Sequence, residues 1–256
     1  MQTNVRTDMP VLAVRAGIYR ERPTTGPIGK LFRCVWSHTV PSGFAGRVAI
    51  VPDGCSGLIW AGGEMLVVGP DRFAAFPRLA PGETIFGLRF RPGAALRWLD
   101  VSLSELTGQT VPLRHLRSDA CEIEQQLADE ASLERKLALL HAWALRQATS
   151  AAGPVDEMEA LFDALKTVTV NHIADRYTFG QRTLRRHSHD HFGYGPKTLE
   201  RILRFQRFLG LVRASATQSL AHLSLEAGYA DQAHMTRDVR EFSTLTPQDI
   251  RWQLAG

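Results

Sequence analysis

Cationic side chains in one segment of this sequence are spaced so that they fall on a single side of a helix. The segment GQRTLRRHSHDHFG predicts a helix that starts near Gln181 and ends before Gly193, with Leu184 on its buried face. The opposite face carries the candidate binding residues Gln181, Arg182, Arg185, Arg186 and His189. Because arginine offers the fork of donors that guanine O6 and N7 accept, this face is predicted to enter a major groove of duplex DNA. The alternative is a solvated charged face.

A helix just before this one favours the DNA interpretation, because the two together make a helix-turn-helix unit. Thr169 suits an N-cap, and apolar residues follow at the spacing of a short helix: Val170, Ile173 and Ala174. The break at Thr178-Phe179-Gly180 supplies the turn.

A second unit follows in SLAHLSLEAGYADQAHMTRDVREFSTLTP. Leu220 and Leu223 mark its first helix, and Gly228 fits the turn. The next helix has a buried stripe of Met235, Val239 and Phe242. Its outward residues, which complete the candidate binding site, are Gln232, Ala233, Thr236, Arg237 and Arg240.

A helix from Pro196 to Val212 is predicted to connect the two units rigidly. Successive major grooves on one face of DNA are roughly 34 Å apart, so one chain would occupy two of them without dimerising. Residues 166–213 hold ten Lys or Arg against three acids, whereas residues 214–256 hold three Arg against five acids. We therefore expect the first unit and the connector to dominate electrostatic attraction to DNA.

Roughly residues 160–252 closely resemble the DNA-binding domain of the AraC family of bacterial transcription regulators. Three stretches carry the resemblance: GYGPKTLERILRFQRFLGLV, LSLEAGYADQAHMTRDVREF and LTP. The resemblance implies DNA contacts by these residues: Arg182, Arg185, Arg186, Gln232, Ala233, Thr236 and Arg237. It also implies double-stranded DNA as the partner, RNA polymerase as a candidate second partner, and activation rather than repression. Two positions depart from the family pattern. Ser188 replaces a large apolar residue, which predicts looser packing, and Thr244 replaces the usual Gly.

The N-terminal half has the residue pattern of a β-sheet. The expected strands are LFRCVW, RVAIV, GLIW, EMLVV and ETIFGLRFR, and LIWAGGEMLVV is expected to form a hairpin. AALRWL is expected to be helical, Ser102 and Glu105 suggest a capping box, and two helices are expected near 119–130 and 132–148. An apolar stripe on the last helix could be core or a homodimer seam: Leu133, Leu137, Leu140 and Ala144.

Residues 15–117 also resemble an N-terminal domain that precedes this DNA-binding domain in many actinobacterial-type regulators. That resemblance implies an unknown small effector or self-association as its role. Arg89 and Arg91 either hold an anionic ligand or form the wet face of a strand, which we favour. Trp36 and Trp60 either line a cavity or are core aromatics, and we favour the core.

An enzymatic alternative is an alkylation-repair regulator with a methyl-accepting cysteine, for which Cys34 beside Arg33 is the candidate. The three cysteines, Cys34, Cys55 and Cys121, show no metal or disulfide spacing and are expected to be buried free thiols. The histidines His187, His189 and His191 lack further ligands at zinc-finger spacing. We expect no metal, no cofactor and no enzymatic activity.

The sequence therefore predicts an α+β chain with a mixed β/α sensor or association domain at 1–150, a linker at 151–154, and an all-α domain with two helix-turn-helix units at 155–256. Homodimerisation through the N-terminal domain or helices 119–148 is left open. The sequence shows no signal peptide and no apolar run long enough to span a membrane, so a cytoplasmic protein is expected.

Overall fold

The computed structural model describes residues 9–150, 156–170, 172–173, 180–215 and 217–254. The predicted linker at 151–154 lies outside them, as does Thr178-Phe179 of the predicted turn. A sheet with helices forms the N-terminal half, and the described C-terminal residues form helices and the turns between them. The expected α+β class is confirmed. In the described part, no helix has the length and apolar character needed to cross a membrane.

Six antiparallel strands, in the order β2-β3-β7-β5-β6-β8, form the main sheet. They are β2 (Ile18–Pro23), β3 (Phe32–Thr39), β5 (Gly57–Ala61), β6 (Glu64–Val68), β7 (Thr84–Phe90) and β8 (Thr110–Pro112). Two short strands, β1 (Val11–Leu12) and β4 (Val48–Ala49), pair in parallel apart from it. The predicted hairpin is confirmed, since Gly62 and Gly63 join β5 to β6 at the positive φ values that a tight turn requires.

Alternation along the strands gives this sheet two different faces. One face packs on the helices α1 (Ala94–Leu99), α2 (Ala120–Asp129) and α3 (Leu133–Ser150) through buried side chains that include Leu58, Trp60, Phe86, Leu88 and Phe90. The residues between them on the same strands point the other way, toward a cavity.

One expectation for this half was wrong. No helix begins at Ser102: its hydroxyl donates to Asp190 Oδ1 at 3.1 Å, and residues 102–108 form turns instead of a capped helix. For the stripe on α3, which the sequence left open between core and dimer seam, Leu140 and Ala144 are core residues, because they are completely buried against the sheet.

Six helices of the C-terminal half are described: α4 (Asp156–Leu165), α5 (Gln181–Phe192), α6 (Pro196–Ala214), α7 (Leu220–Glu226), α8 (Gln232–Ser243) and α9 (Pro247–Leu254). The connector α6 packs against each of the other five. Its predicted start is confirmed, and it runs two residues beyond the predicted end. The helix predicted to precede α5 is described only at Val170 and at residues 172–173, which are helical.

The two halves are joined at the N-terminal end of the described chain. Leu12 is buried in the C-terminal core, and its backbone N–H donates to Gln253 Oε1 on α9 at 2.7 Å. Gln253 Nε2 donates in return to the carbonyl of Pro10 at 2.9 Å. A buried glutamine amide therefore ties the first described strand to the last helix.

Candidate nucleic-acid interface and N-terminal cavity

The first candidate recognition helix, α5, presents its predicted face to solvent. Four of its five candidate residues are exposed: Gln181, Arg182, Arg185 and Arg186. The guanidinium groups of the three arginines form no hydrogen bond or ion pair with any residue that the structure describes. His189 is half-buried and faces a groove shared with Lys197 and with Arg72 of the N-terminal half. Three arginines without a partner among the described residues therefore face solvent on one side of α5.

The far end of α5 is anchored to the N-terminal half. Leu103 N–H donates to the carbonyl of Asp190 at 2.9 Å, and the Thr107 hydroxyl donates to the carbonyl of Gly193 at 2.9 Å. The arginines lie in the first half of the helix, which is the part that base-reading helices of this motif use.

Ser188 does not loosen the first unit as the sequence suggested. Its side chain is completely buried, and its hydroxyl donates to the carbonyl of Tyr194 at 2.7 Å. The small polar residue thus satisfies a backbone acceptor just beyond the helix, and Leu184 and Phe192 supply the apolar anchor beside it.

The second candidate helix, α8, is capped and anchored as a reading helix needs to be. Asp231 accepts from the backbone N–H of His234 at 2.6 Å, which fixes the start of the helix. Four of its five candidate reading residues are exposed: Gln232, Ala233, Arg237 and Arg240. Thr236 is half-buried, and its hydroxyl donates to the carbonyl of Gln232 at 2.8 Å. Thr236 is therefore left with its methyl group and acceptor lone pairs for an outside contact.

Asp238 is a buried carboxylate that joins α8 to the connector. Arg201 Nη2 donates to it at 2.7 Å and Arg204 Nη2 at 3.3 Å, while its side chain is only 3% exposed. Arg201 also pairs with Glu241, and the hydrogen bonds that it donates to that carboxylate raise the pKa of the guanidinium above its usual value. Arg204 also pairs with Glu200.

These contacts occupy three of the five cations on the connector, which was expected to help attract DNA. Arg201 and Arg204 pair with acids inside the domain, and Arg207 donates to the carbonyl of Ala227 at 3.2 Å beside the turn at Gly228. These three arginines hold the second unit in place. The other two, Lys197 and Arg213, are exposed and form no ion pair with the described residues, so any attraction of DNA by the connector would come from them.

A cavity of about 550 Å³ lies on the open face of the N-terminal sheet. Its floor is apolar and is formed by residues that include Trp36, Ile59, Leu66, Val68 and Ile85. Its other wall comes from the loops at 50–56 and 69–79. Cavities of this volume with a few polar groups are the usual sites of small-molecule ligands.

Charged groups gather at one end of the cavity. Arg89 lies 3.6 Å from a carboxylate oxygen of Asp53 and 3.4 Å from one of Glu21. Asp71 forms no hydrogen bond or ion pair with any residue in the described ranges. Burial, with a smaller effect from Asp53, raises the pKa of Asp71 to about 6.

The expectations for arginine and tryptophan in this half are met only in part. Arg89 lines the cavity and does not lie on a solvated face of the sheet. Arg91 pairs with Glu159 of α4 at 2.6 Å. Trp60 is a core residue as expected, with 6% of its surface exposed. Trp36 instead lines the cavity, where its ring stacks on Tyr19 at 6.1 Å between centroids.

The cysteines do not support a methyl-accepting enzyme. Burial raises the pKa of Cys34 to about 11 and raises the pKa of Cys55 further above its usual range, which disfavours the nucleophilic thiolate. Cys34 is buried as expected, but Cys55 is half-buried and Cys121 is exposed. Across the described ranges, no group of three or more His, Cys, Asp or Glu side chains is placed to hold a metal ion.

The segment Val51–Cys55 is a wall shared by the cavity and the DNA-binding half. Val51, Pro52, Asp53 and Cys55 line the cavity, and Val51 and Cys55 also pack on the C-terminal core. Gln206 of the connector donates to the carbonyl of Pro52 at 2.7 Å. Gly54 has φ +80°, and a Cβ added there would lie 2.9 Å from the Phe162 ring.

Tyr194, just after α5, also approaches this wall. Its hydroxyl is buried with no hydrogen-bond partner among the described residues, and the charges of Asp53 and Asp71 help burial to raise its pKa. Sequence reasoning missed Tyr194, Asp71 and the coupling at residues 51–55. The only signal was that VPDGC and the Gly69-Pro70-Asp71 stretch are part of the N-terminal resemblance.

Two family models match the chain. A helix-turn-helix domain matches residues 173–253, and a domain of unknown function (DUF6597) matches residues 23–112. None of the curated proteins matches the sequence.

Among solved structures, the crystal structure of ToxT from Vibrio cholerae O395 is 9% identical with a TM-score of 0.45, covering 81% of this chain and 94% of that chain. Unsaturated fatty acid bound wild-type ToxT from Vibrio cholerae strain SCE256 is 8% identical with a TM-score of 0.41, covering 78% of this chain and 84% of that chain. At these values, function has to be argued from the chain's own residues.

Proposed function

We propose that this chain, a transcription regulator with an AraC-type helix-turn-helix DNA-binding domain, reads two successive major grooves with α5 and α8 and responds to a small molecule in its N-terminal cavity. The observation that carries the proposal is the shared wall at Val51–Cys55, which contacts both the cavity and the DNA-binding half. Regulators of this class bind DNA and are not enzymes.

The DNA-reading residues that we propose are those whose exposure suits the task. On α5 they are Gln181, Arg182, Arg185, Arg186 and His189, with His189 at the edge of the surface. On α8 they are Gln232, Ala233, Thr236, Arg237 and Arg240. Arginine can form two hydrogen bonds with guanine, and glutamine can form two with adenine. We therefore propose that α5 contributes mainly charged contacts and that α8 contributes mainly uncharged base contacts.

Removal of one arginine from α5 tests this assignment. Arg182→Ala or Arg186→Ala is expected to weaken operator binding by about 1–3 kcal/mol at fixed salt, because each loses a base or phosphate contact. Arg20→Ala is the matched control, since it removes the same exposed side chain from strand β2. Equal operator affinity for all three variants and the unaltered chain would remove α5 from the interface.

Effector control would pass through the shared wall. A ligand in the cavity touches Asp53 and Cys55 from one side, and any shift of this segment moves the Pro52 carbonyl held by Gln206 of the connector. Because α6 packs against both α5 and α8, its displacement alters how the two helices meet DNA. Interfaces packed this closely favour discrete alternative arrangements over gradual deformation.

Gly54→Ala tests this route by adding a methyl group that meets Phe162 and Leu199 of the DNA-binding half at 2.9 and 3.1 Å. We expect operator affinity to change several-fold although Gly54 lies in the N-terminal half. Gly63→Ala is the control, since Gly63 has φ +85° and nothing within 4 Å of the added methyl group.

Gln206→Leu provides a second variant in case Gly54→Ala fails to fold, because it removes the hydrogen bond to Pro52 without a clash. Operator affinity that stays the same in Gln206→Leu and in folded Gly54→Ala would show that the wall transmits nothing.

The resemblance to AraC-type regulators supplies the remaining parts of the proposal: an activator that works with RNA polymerase in the cytoplasm. Transcription in vitro from a bound promoter should rise when the protein is added to the polymerase. A fall in transcript would make the protein a repressor. Genome-wide mapping of bound DNA would identify the target genes.

A further inference from the structure

We propose that the N-terminal cavity binds an organic cation, an amine carried on an apolar body, with the ammonium group at Asp71. The proposal rests on the proposed function, since this ligand would be the effector. It concerns the chemical class of ligand, which the shape and charge of the cavity indicate.

The apolar part of the site accounts for most of the wall. The sheet contributes Trp36, Ile59, Leu66, Val68 and Ile85 to one continuous surface. A flat or branched hydrocarbon body would bury its surface here at roughly 25 cal/mol per Å². The lining also contains charged groups, among them Asp53 and Asp71 from the loops at 50–56 and 69–79 and Arg89 from the sheet.

Among the acids that line the cavity, one carboxylate has no partner in the residues that the structure describes. Of the acids in the lining, Glu64 pairs with Arg114 at 2.6 Å, Asp53 lies 3.6 Å from Arg89, and Glu83 accepts from the backbone N–H of Ala80. Asp71 has no partner in the described residues. A half-buried carboxylate without a counter-charge is costly, and a ligand cation removes that cost.

The other polar groups of the cavity do not favour an anion. Arg89 already faces Glu21 and Asp53, so its positive charge is balanced. Burial lowers the pKa of His38, which keeps the imidazole neutral at pH 7. The second arginine of the lining, Arg78, is exposed to solvent. The lining as a whole holds four acids, Asp53, Glu64, Asp71 and Glu83, against these two arginines, so an anionic ligand would meet more negative than positive charge.

Two buried polar atoms in this region also have no partner in the described structure. His38, which lines the cavity, is 4% exposed and its Nε2 makes no hydrogen bond. The Tyr194 hydroxyl, on a residue that is 2% exposed, lies close enough to Asp53 and Asp71 to feel their charges, although Tyr194 lines the neighbouring groove beside α5 and not the cavity itself. Buried polar groups without a partner are uncommon in native proteins, and for His38 a ligand in the cavity would supply one.

Three probes with the same apolar body separate the classes of ligand: phenylbutylamine, phenylbutanol and phenylbutyrate. Their binding to the full chain without DNA can be measured by titration calorimetry at pH 7.5. We expect the amine to bind at least about tenfold more tightly than the alcohol, which corresponds to about 1.4 kcal/mol, and the carboxylate to bind most weakly.

Asp71→Asn should abolish the preference for the amine over the alcohol while leaving alcohol binding in place. Glu64→Gln is the matched control, because it removes the same charge from the cavity lining at a carboxylate that Arg114 already neutralises. The control is expected to keep the preference for the amine.

Three results would overturn the proposal: phenylbutyrate binding as tightly as the amine, no binding of any probe, or an undiminished amine preference in Asp71→Asn. Operator affinity measured with and without saturating amine tests the proposed function separately. Amine binding that leaves operator affinity unchanged would uphold the class of ligand and contradict its role as effector.

Discussion

Replacement of Asp238 by Asn should loosen the second reading helix more than any surface change on α8. The buried carboxylate accepts from two arginines of the connector, at 2.7 Å from Arg201 Nη2 and 3.3 Å from Arg204 Nη2. Asn has nearly the same volume but no charge, and its NH₂ group would face the guanidinium groups. The loss is therefore electrostatic and not a cavity effect.

The size of this loss follows from burial. Breaking one partner of a buried ion pair typically costs about 3–5 kcal/mol, because the remaining charge stays desolvated. Here Arg201 keeps Glu241 and Arg204 keeps Glu200, and the Arg201 side chain is 34% exposed. We therefore expect the free energy of unfolding to fall by about 2–3 kcal/mol, less than when the remaining charge is left with no partner at all.

Urea unfolding monitored by circular dichroism measures the change, and Glu241→Gln is the internal control. Glu241 lies on the same helix, pairs with the same Arg201 at 2.5 Å, and is 42% exposed, so its loss should cost at most about 1 kcal/mol. Asp238→Asn should also weaken operator binding, because α8 loses its anchor on α6. Equal and small losses from both variants would refute the view that the buried contact positions α8.

Three further predictions concern separate parts of the chain. Thr244→Gly should raise the free energy of unfolding by about 0.5–1 kcal/mol, measured by thermal unfolding, because Thr244 caps α8 at φ 61° with an exposed β-branched side chain; a loss of stability would show that the threonine is unstrained. Asp71→Asn should stabilise the unliganded chain by about 1–2 kcal/mol at pH 7.5, because the wild-type chain then carries an ionised, half-buried carboxylate. This advantage should shrink as pH falls from above 6 toward 4, since the carboxyl group, whose pKa is raised to about 6, becomes protonated in the folded wild type. A difference in stability that does not change with pH would contradict this. Arg185→Ala should lower the slope of log affinity against log salt by about one unit, whereas Gln232→Ala should leave the slope unchanged and alter base preference; equal slopes for Arg185→Ala and wild type would place that arginine away from a phosphate.

Local patterns predicted the elements that carry strong periodicity. The bounds of α5 follow from its apolar spacing and from Gly193, which ends the helix at φ 82°. The hairpin of β5 and β6 follows from the glycine pair at its turn. Strand β2 escaped notice because all six of its residues are exposed, so it shows no alternation of apolar and polar residues.

Contacts between distant segments were beyond reach of the sequence. Arg201 and Arg204 of α6 look like part of a DNA-facing surface until Asp238, more than thirty residues later, is seen to accept from both. Ser188 looks like a packing defect until the carbonyl of Tyr194 is seen to accept its hydroxyl proton. Arg91 looks solvated until Glu159 of α4 lies against it. For the arginines the deciding partner lies far along the chain, and for Ser188 it is a backbone carbonyl whose position depends on the turn after α5.

The most direct test of the central claim is a hydroxyl-radical footprint of the full chain on an operator obtained by selection from random duplexes. If one chain reads DNA with both α5 and α8, two protected segments should lie on one face about one helical turn, roughly 10 base pairs, apart. Arg186→Ala should weaken one segment and Gln232→Ala the other. A single protected segment that Gln232→Ala leaves unchanged would contradict the account, because α8 would then pack against the connector without reading DNA.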